Sequence, residues 1–191
     1  DVLNPQLALN CLGYQAESVG TLGEFSDAEG SFQIAGMLDR ERLTVTVSEV
    51  YPRDTQRFTW AHELGHAVLH TGTGLHRDRP AEGAGSTLRK PRSEYEADQF
   101  AAYFLMPRKL LEEAFKSRFL AAPFHQDHKT LSAFKAADRD VLENRSASRR
   151  DRSLVFARAT FYNGQYFISL AEEFGVSPTA MAIQLEEYSL V

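Results

Sequence analysis

The stretch that most constrains this chain is Arg57 to His70, RFTWAHELGHAVLH, because it sets two histidines and a glutamate at helical spacing. Residues four apart on an α-helix share one face, so His62 and His66 can direct their imidazoles at a single metal ion. Glu63 can address a water at that ion without becoming a ligand. Zinc held by three protein groups keeps a fourth position open and lowers the pKa of a water there to roughly 7. The stretch therefore predicts a catalytic metal site with Glu63 as the general base.

His70 continues the four-residue step after His66 and is an alternative third ligand. Consecutive turns of one straight helix do not easily close around a single ion, because each turn climbs about 5.4 Å. We therefore interpret His70 as a residue that supports the site or ends the helix. The alternative reading of the whole stretch is a buried helix whose histidines happen to lie four apart. In either reading, we place the start of the helix near Thr55, a possible N-cap, and the end of the helix near Gly72.

A second motif, EYEADQFAAYFLMP, runs from Glu94 to Pro107 and predicts another helix, with acidic residues in its first turn. Glu94, Glu96 and Asp98 are all candidate third ligands. Periodicity does not choose among them, because Glu96 shares a face with aromatic residues while Glu94 and Asp98 share a face with alanines and a leucine. Solvated acids at a helix start are the alternative.

Together the two motifs resemble the ImmA/IrrE family of metallopeptidases, in which they occur in this order. The resemblance implies that the glutamate directly before the alanine of the second helix, here Glu96, completes the metal site with His62 and His66. It also implies that Asp98 accepts a hydrogen bond from a ligand imidazole. Trp60 stands where the family more often has an aliphatic residue.

The rest of the chain predicts an α+β fold. Leu43, Val45 and Val47 alternate with polar residues, which indicates a half-buried strand, and the apolar run at 32–35 indicates another, joined to it by a turn at 39–41. We therefore expect a zincin-like metallopeptidase domain with a small antiparallel sheet over residues 1–122. A long loop at 71–91 should follow the metal helix. A helical subdomain over 123–191 should follow this domain.

The C-terminal residues 169–191 have the cadence of a helix-turn-helix, with Gly175 at the turn and Ser177 opening the second helix. A recognition helix needs basic side chains for the phosphates. None occurs from Ile168 to Val191, and the formal net charge of the chain is −5. We therefore expect a packing or partner-binding module that does not bind DNA directly.

Cys11 is the single cysteine, which excludes an intrachain disulfide, and no apolar run approaches the roughly 20 residues of a membrane span. These features favour a cytoplasmic protein with no membrane partner. We expect a zinc-dependent endopeptidase, with Mn²⁺ as an alternative metal. The resemblance implies that its substrate is a helix-turn-helix repressor of the phage-repressor type. The alternative is a non-catalytic, metal-containing module that docks to a repressor or antitoxin.

Overall fold

The structure, a computed structural model, describes residues 3–27, 30–71, 75–78 and 91–191. It divides into two compact units, Asp1–Leu105 and Met106–Val191. The sequence analysis placed the domain boundary at 122/123. In the structure the boundary lies between Leu105 and Met106, so the helix that follows Pro107 belongs to the second unit. Within the described ranges, no helix is long and apolar enough to cross a membrane. The mixture of helices and strands confirms the α+β class.

The first unit contains three helices and six strands among its described residues. The helices are α1 (Pro5–Cys11), α2 (Arg53–Leu69) and α3 (Arg92–Leu105). The strands are β1 (Gln15–Val19), β2 (Glu24–Asp27), β3 (Gly30–Gln33), β4 (Gly36–Asp39), β5 (Thr44–Ser48) and β6 (Leu75–Asp78).

The main sheet has four strands in the order β1-β5-β4-β6, while β2 and β3 form a separate hairpin. The hairpin of β4 and β5 confirms the predicted turn at Asp39, whose carboxylate accepts from the backbone N–H groups of Glu41 and Arg42. The sheet is mixed rather than antiparallel throughout, because β1 pairs with β5 in parallel. A parallel pair needs a long connection, and the chain from β1 to β5 provides it through β2, β3 and β4.

Helix α2 packs one face on the sheet. Its Trp60 and Leu64 join a buried cluster with Leu38, Val45 and Val47 of β4 and β5, and Leu9 of α1 completes the cluster. The end of α2 is also tied to the β4–β5 turn, because Arg40 Nη2 donates to the carbonyl oxygen of His66 (2.5 Å). The first unit therefore holds α2 from the sheet side and at its C-terminal end.

Three local expectations were wrong. Helix α2 begins at Arg53, two residues before Thr55, and Thr55 lies inside it, where its carbonyl accepts from Thr59 Oγ1 (2.9 Å). The strand before the turn begins at Gly36, after the predicted run at 32–35. The segment predicted as a loop contains β6, which pairs with β4. Gly72, the predicted end of α2, lies outside the described residues.

The second unit contains α4 (Arg108–Phe119), α5 (His128–Ser132), α6 (Ala136–Glu143), α7 (Arg149–Arg158), β7 (Phe161–Tyr162), β8 (Gln165–Tyr166), α8 (Leu170–Phe174) and α9 (Pro178–Glu187). Phe119 lies at the centre of an aromatic core that also contains Phe115, Phe124, Phe134, Phe156 and Tyr162. The ring centroids of these residues lie 4.8–6.3 Å from that of Phe119. Aromatic side chains bury large apolar areas, so they contribute much of the core of this unit.

The predicted helix-turn-helix cadence is present as α8, a turn at Gly175 and α9. Gly175 adopts a left-handed conformation (φ 61°), which suits glycine at a helix end, and the Ser177 side chain accepts from the Ala180 N–H to cap α9. Glu186 of α9 forms a two-bond pair with Arg150 of α7 (2.8 and 3.0 Å). One of the arginines that enrich residues 139–158 is thus used to hold the unit together.

Candidate metal centre

Two faces of α2 carry the polar residues of the site. His62 and His66 lie on the face towards α3, and both are buried. Glu63 is 0% exposed and lies one residue round the helix, on the side towards β4. The local cause is helical geometry: each residue advances about 100° around the axis, so residues 62 and 63 point to different neighbours.

The close packing of α3 on α2 sets the position of the third group. A β-carbon placed on Gly65 would lie only 3.2 Å from the Cα and carbonyl oxygen of Ala97, so these helices approach each other where both residues are small. Ala97, Ala101 and Leu105 form the buried face of α3. Glu94 lies one turn before Ala97 on that same face, which directs its side chain towards the histidines of α2.

The three groups converge on a common point. Glu94 places one carboxylate oxygen 3.4 Å from His62 Nε2 and the other 3.4 Å from His66 Nε2. The two Nε2 atoms are themselves 3.0 Å apart. Metal–ligand distances of about 2.0–2.1 Å at a tetrahedral centre separate the ligand atoms by roughly 3.3 Å. The separations therefore fit a small divalent cation, and His62, His66 and Glu94 form a candidate metal site among the described residues.

The sequence analysis assigned the third position to Glu96, and the structure places Glu96 elsewhere. Its carboxylate accepts from Arg92 Nε (2.6 Å) and lies 3.2 Å from His70 Nε2. The reason is again helical: Glu96 lies about 200° around α3 from Glu94, so the two carboxylates cannot both reach the Nε2 atoms of His62 and His66. The hydrogen bond from Arg92, followed by the one from His70, holds the pKa of Glu96 below its usual value.

Asp98 lies one turn after Glu94 on the same side of α3. Its Oδ1 atom is 2.9 Å from His62 Nδ1, which is the type of contact that the resemblance implies for it. A hydrogen bond from Nδ1–H to this carboxylate leaves the Nε2 lone pair of His62 for a metal ion. The charge of Asp98 also makes the imidazole a better electron donor.

One residue near the site, Gly36, was missed by the sequence analysis, whereas His70 was predicted to support the site or end the helix. Gly36 of β4 lies against Glu63, and a β-carbon there would overlap the Glu63 carboxylate. His70, at the end of α2, places its Nδ1 atom 3.0 Å from His66 Nδ1. The small residue at Gly65 and the alanines of α3 were visible signals of which face of α3 would pack against α2.

Part of the chain matches a known protein family. Residues 30–121 match the model of the Peptidase_M78 family, described as an IrrE N-terminal-like domain. This stretch belongs to the Peptidase_M78 family. The match confirms the resemblance to ImmA/IrrE proteins, and the Peptidase_M78 segment contains β3–β6, both helices of the candidate metal site and α4. None of the curated proteins matches the chain in sequence.

Proposed function

We propose that the chain is a zinc-dependent endopeptidase that cleaves a helix-turn-helix repressor of the phage-repressor type at a specific site and so derepresses its genes. Membership of a metallopeptidase family supports the reaction class. The observation that carries the proposal is the convergence of His62, His66 and Glu94 on α2 and α3 beside a fully buried Glu63. The repressor substrate rests on the family resemblance alone.

His62, His66 and Glu94 would hold the ion. A zinc ion at this position supplies a Lewis acid that polarises the scissile carbonyl and makes a nearby water more acidic. Two imidazoles and one carboxylate suit Zn²⁺ and also Mn²⁺. Because three protein groups leave a coordination position open, the donor set is of the catalytic rather than the closed structural kind.

Glu63 moves the proton. As a carboxylate it takes a proton from the water that attacks the peptide carbonyl, and it then gives that proton to the leaving amine nitrogen. Its burial against β4 keeps the carboxylate in one position, so little reorganisation is needed during the reaction. A purely structural metal site has no need of a base at this place.

The helical second unit is proposed to bind protein rather than DNA. Helices α8 and α9 contain acidic side chains and no Arg or Lys, so they lack the groups that contact phosphates.

The test compares new protein N-termini in cells that express the wild-type chain or Glu63→Gln. The substitution keeps the size of the side chain, but an amide cannot accept the proton. We expect one or a few new termini, within a helix-turn-helix repressor, that depend on Glu63. Termini in proteins of another class would overturn the substrate proposal, and no Glu63-dependent terminus would favour the docking module over the peptidase.

A further inference from the structure

A line of polar contacts leads from the surface of α3 to His66, one of the two buried histidines of α2. Arg92 Nε donates to Glu96 Oε1 (2.6 Å), and Glu96 Oε2 lies 3.2 Å from His70 Nε2. On its other side, the His70 ring places Nδ1 3.0 Å from Nδ1 of His66. The line crosses once from α3 to the end of α2, between Glu96 and His70, and the exposed fraction of the side chains falls from 91% at Arg92 to 3% at His66.

Only one arrangement of hydrogens satisfies every contact in this line when His66 binds a metal through Nε2. A neutral imidazole carries one N–H, so His66 must then carry it on Nδ1. That N–H can donate to His70 Nδ1 only if the His70 nitrogen is an acceptor, which places the His70 hydrogen on Nε2. The Nε2–H of His70 in turn donates to Glu96, because an ionised carboxylate only accepts.

We propose that His70 and Glu96 are positioning residues that fix the tautomer and ring orientation of His66 for metal binding. The inference rests on the proposed metal site. Glu96 orients His70, His70 accepts the Nδ1 hydrogen of His66, and Arg92 holds Glu96 in place. On the other ligand, Asp98 makes the corresponding contact with His62 directly (2.9 Å). Each metal-binding imidazole thus has its own acceptor at Nδ1.

A role for His70 limited to ending α2 does not account for the ring contacts. The backbone N–H of His70 already bonds to the His66 carbonyl and completes the last turn. The ring is additional: it lies beside the His66 ring, with centroids 5.0 Å apart and planes tilted by 49°, and it joins the His66 ring to α3 through Glu96. Any residue can end a helix in extended conformation, whereas these two contacts need an acceptor and a donor on one short ring.

Three substitutions at His70 separate the two contacts. Asparagine places its carbonyl oxygen near the position of Nδ1, so His70→Asn keeps an acceptor for His66 and loses the link to Glu96. Glutamine places its amide near the position of Nε2, so His70→Gln keeps a partner for Glu96 and loses the acceptor for His66. His70→Ala removes both contacts.

Zn²⁺ affinity of the full chain, measured by competition with a chromogenic chelator, is the first readout. Outer partners of metal-bound histidines are typically worth 10–100-fold in affinity. We expect His70→Ala and His70→Gln to weaken Zn²⁺ binding by about that factor, and His70→Asn to stay within about threefold of wild type. The visible spectrum of the Co²⁺-loaded protein, which reports ligand geometry, should change in the first two variants and remain in the third.

Glu96→Gln tests the next step and has a matched control. Glu112 of α4 accepts from Arg108 Nε at the same distance, 2.6 Å, and is 37% exposed against 36% for Glu96. Glu96→Gln should weaken Zn²⁺ binding by up to about threefold, the range expected for His70→Asn and less than the loss of a direct partner, and Glu112→Gln should not. In a His70→Asn background, Glu96→Gln should have no further effect, because the link is already lost.

The outcomes are separable. Equal Zn²⁺ affinity and Co²⁺ spectra in wild type and His70→Ala would overturn the positioning role and leave the peptidase proposal intact. Equal losses in His70→Asn and His70→Ala would also overturn it, since any loss would then follow from a changed shape. A wild-type chain that binds neither metal would overturn both proposals. Thermal unfolding of the metal-free variants shows whether each one is folded.

Discussion

Gly36 of β4 and Glu63 of α2 are in such close contact that a β-carbon on Gly36 would occupy the space of the Glu63 carboxylate and lie 2.7 Å from Thr59 Cγ2. The glycine therefore provides the room for the fully buried side chain of Glu63, the proposed general base. The contact joins the sheet to the face of α2 that carries Glu63. A larger side chain at this position of β4 would clash with that face.

Gly36→Ala should reduce peptidase activity more than it reduces metal binding. The added methyl group forces Glu63 from its position, at a cost of about 1–3 kcal/mol for overpacking, while His62 and His66 face α3 and stay in place. Two measurements made side by side test this: turnover of the substrate that the comparison of new N-termini identifies, and Zn²⁺ affinity. Gly20→Ala is the control, because nothing lies within 4 Å of a β-carbon there. Unchanged turnover in Gly36→Ala would show that Glu63 does not act from this position.

Gly65→Val should weaken both stability and metal binding. Its side chain would meet backbone atoms of Ala97 at 3.2 Å or less, so α3 must move away and carry Glu94 with it. We expect a loss of about 1–3 kcal/mol in the free energy of unfolding and a lower Zn²⁺ affinity, measured by urea denaturation and chelator competition. A variant with wild-type values for both would contradict the close helix packing.

Metal binding should stabilise the protein and do so without Glu63. A ligand that binds only the folded state at 100 times its dissociation constant adds about 2.7 kcal/mol. Thermal unfolding should therefore shift upwards with Zn²⁺ in wild type and in Glu63→Gln, and a chelator should reverse the shift. His66→Ala should lose the shift. A Zn²⁺-dependent shift that survives in His66→Ala would place the ion elsewhere.

The second unit should become less stable in acid, because protonation of Glu186 removes its ion pair with Arg150. The hydrogen bond from Arg150 holds the pKa of Glu186 below its usual value, so the folded state binds this proton less readily than the unfolded chain. The resulting stability is present above the unfolded pKa of about 4.3 and is lost as the pH falls through the lower, folded pKa.

Glu186→Gln should therefore cost about 1 kcal/mol at pH 7, an amount reduced by the partial exposure of Arg150, and less as the pH falls below about 4. Urea denaturation across this range measures the difference from wild type. A constant difference at all pH values would show that the glutamine acts through packing and not through the lost charge.

Local patterns in the sequence were sufficient for the parts of the site that lie on one helix. His62, Glu63 and His66 have fixed relative positions once the helix forms, and the hydrophobic alternation around Val45 predicted β5 for the same reason. The parallel pairing of β1 with β5 was missed, because it depends on residues some 30 positions apart in the chain. Neither strand carries a signal that specifies its partner or direction.

The choice between Glu94 and Glu96 shows where the sequence is insufficient. Both carboxylates begin the same helix, and either would be correct if the corresponding face packed on α2. The contact between Gly65 and Ala97 decides the matter in the structure. The small residues were visible in the sequence of each helix, but neither helix alone specifies that they meet. The resemblance selected Glu96 by its position directly before Ala97, whereas the structure brings Glu94, on the face that contains Ala97 and Ala101, to the histidines.

The most direct test of the metal centre compares Zn²⁺ affinity in Glu94→Gln and Glu96→Gln. The structure predicts that Glu94→Gln weakens binding by more than the roughly 10–100-fold that outer partners provide, and that Glu96→Gln weakens it by up to about threefold. The reverse order would contradict the site described here and assign the third ligand to Glu96.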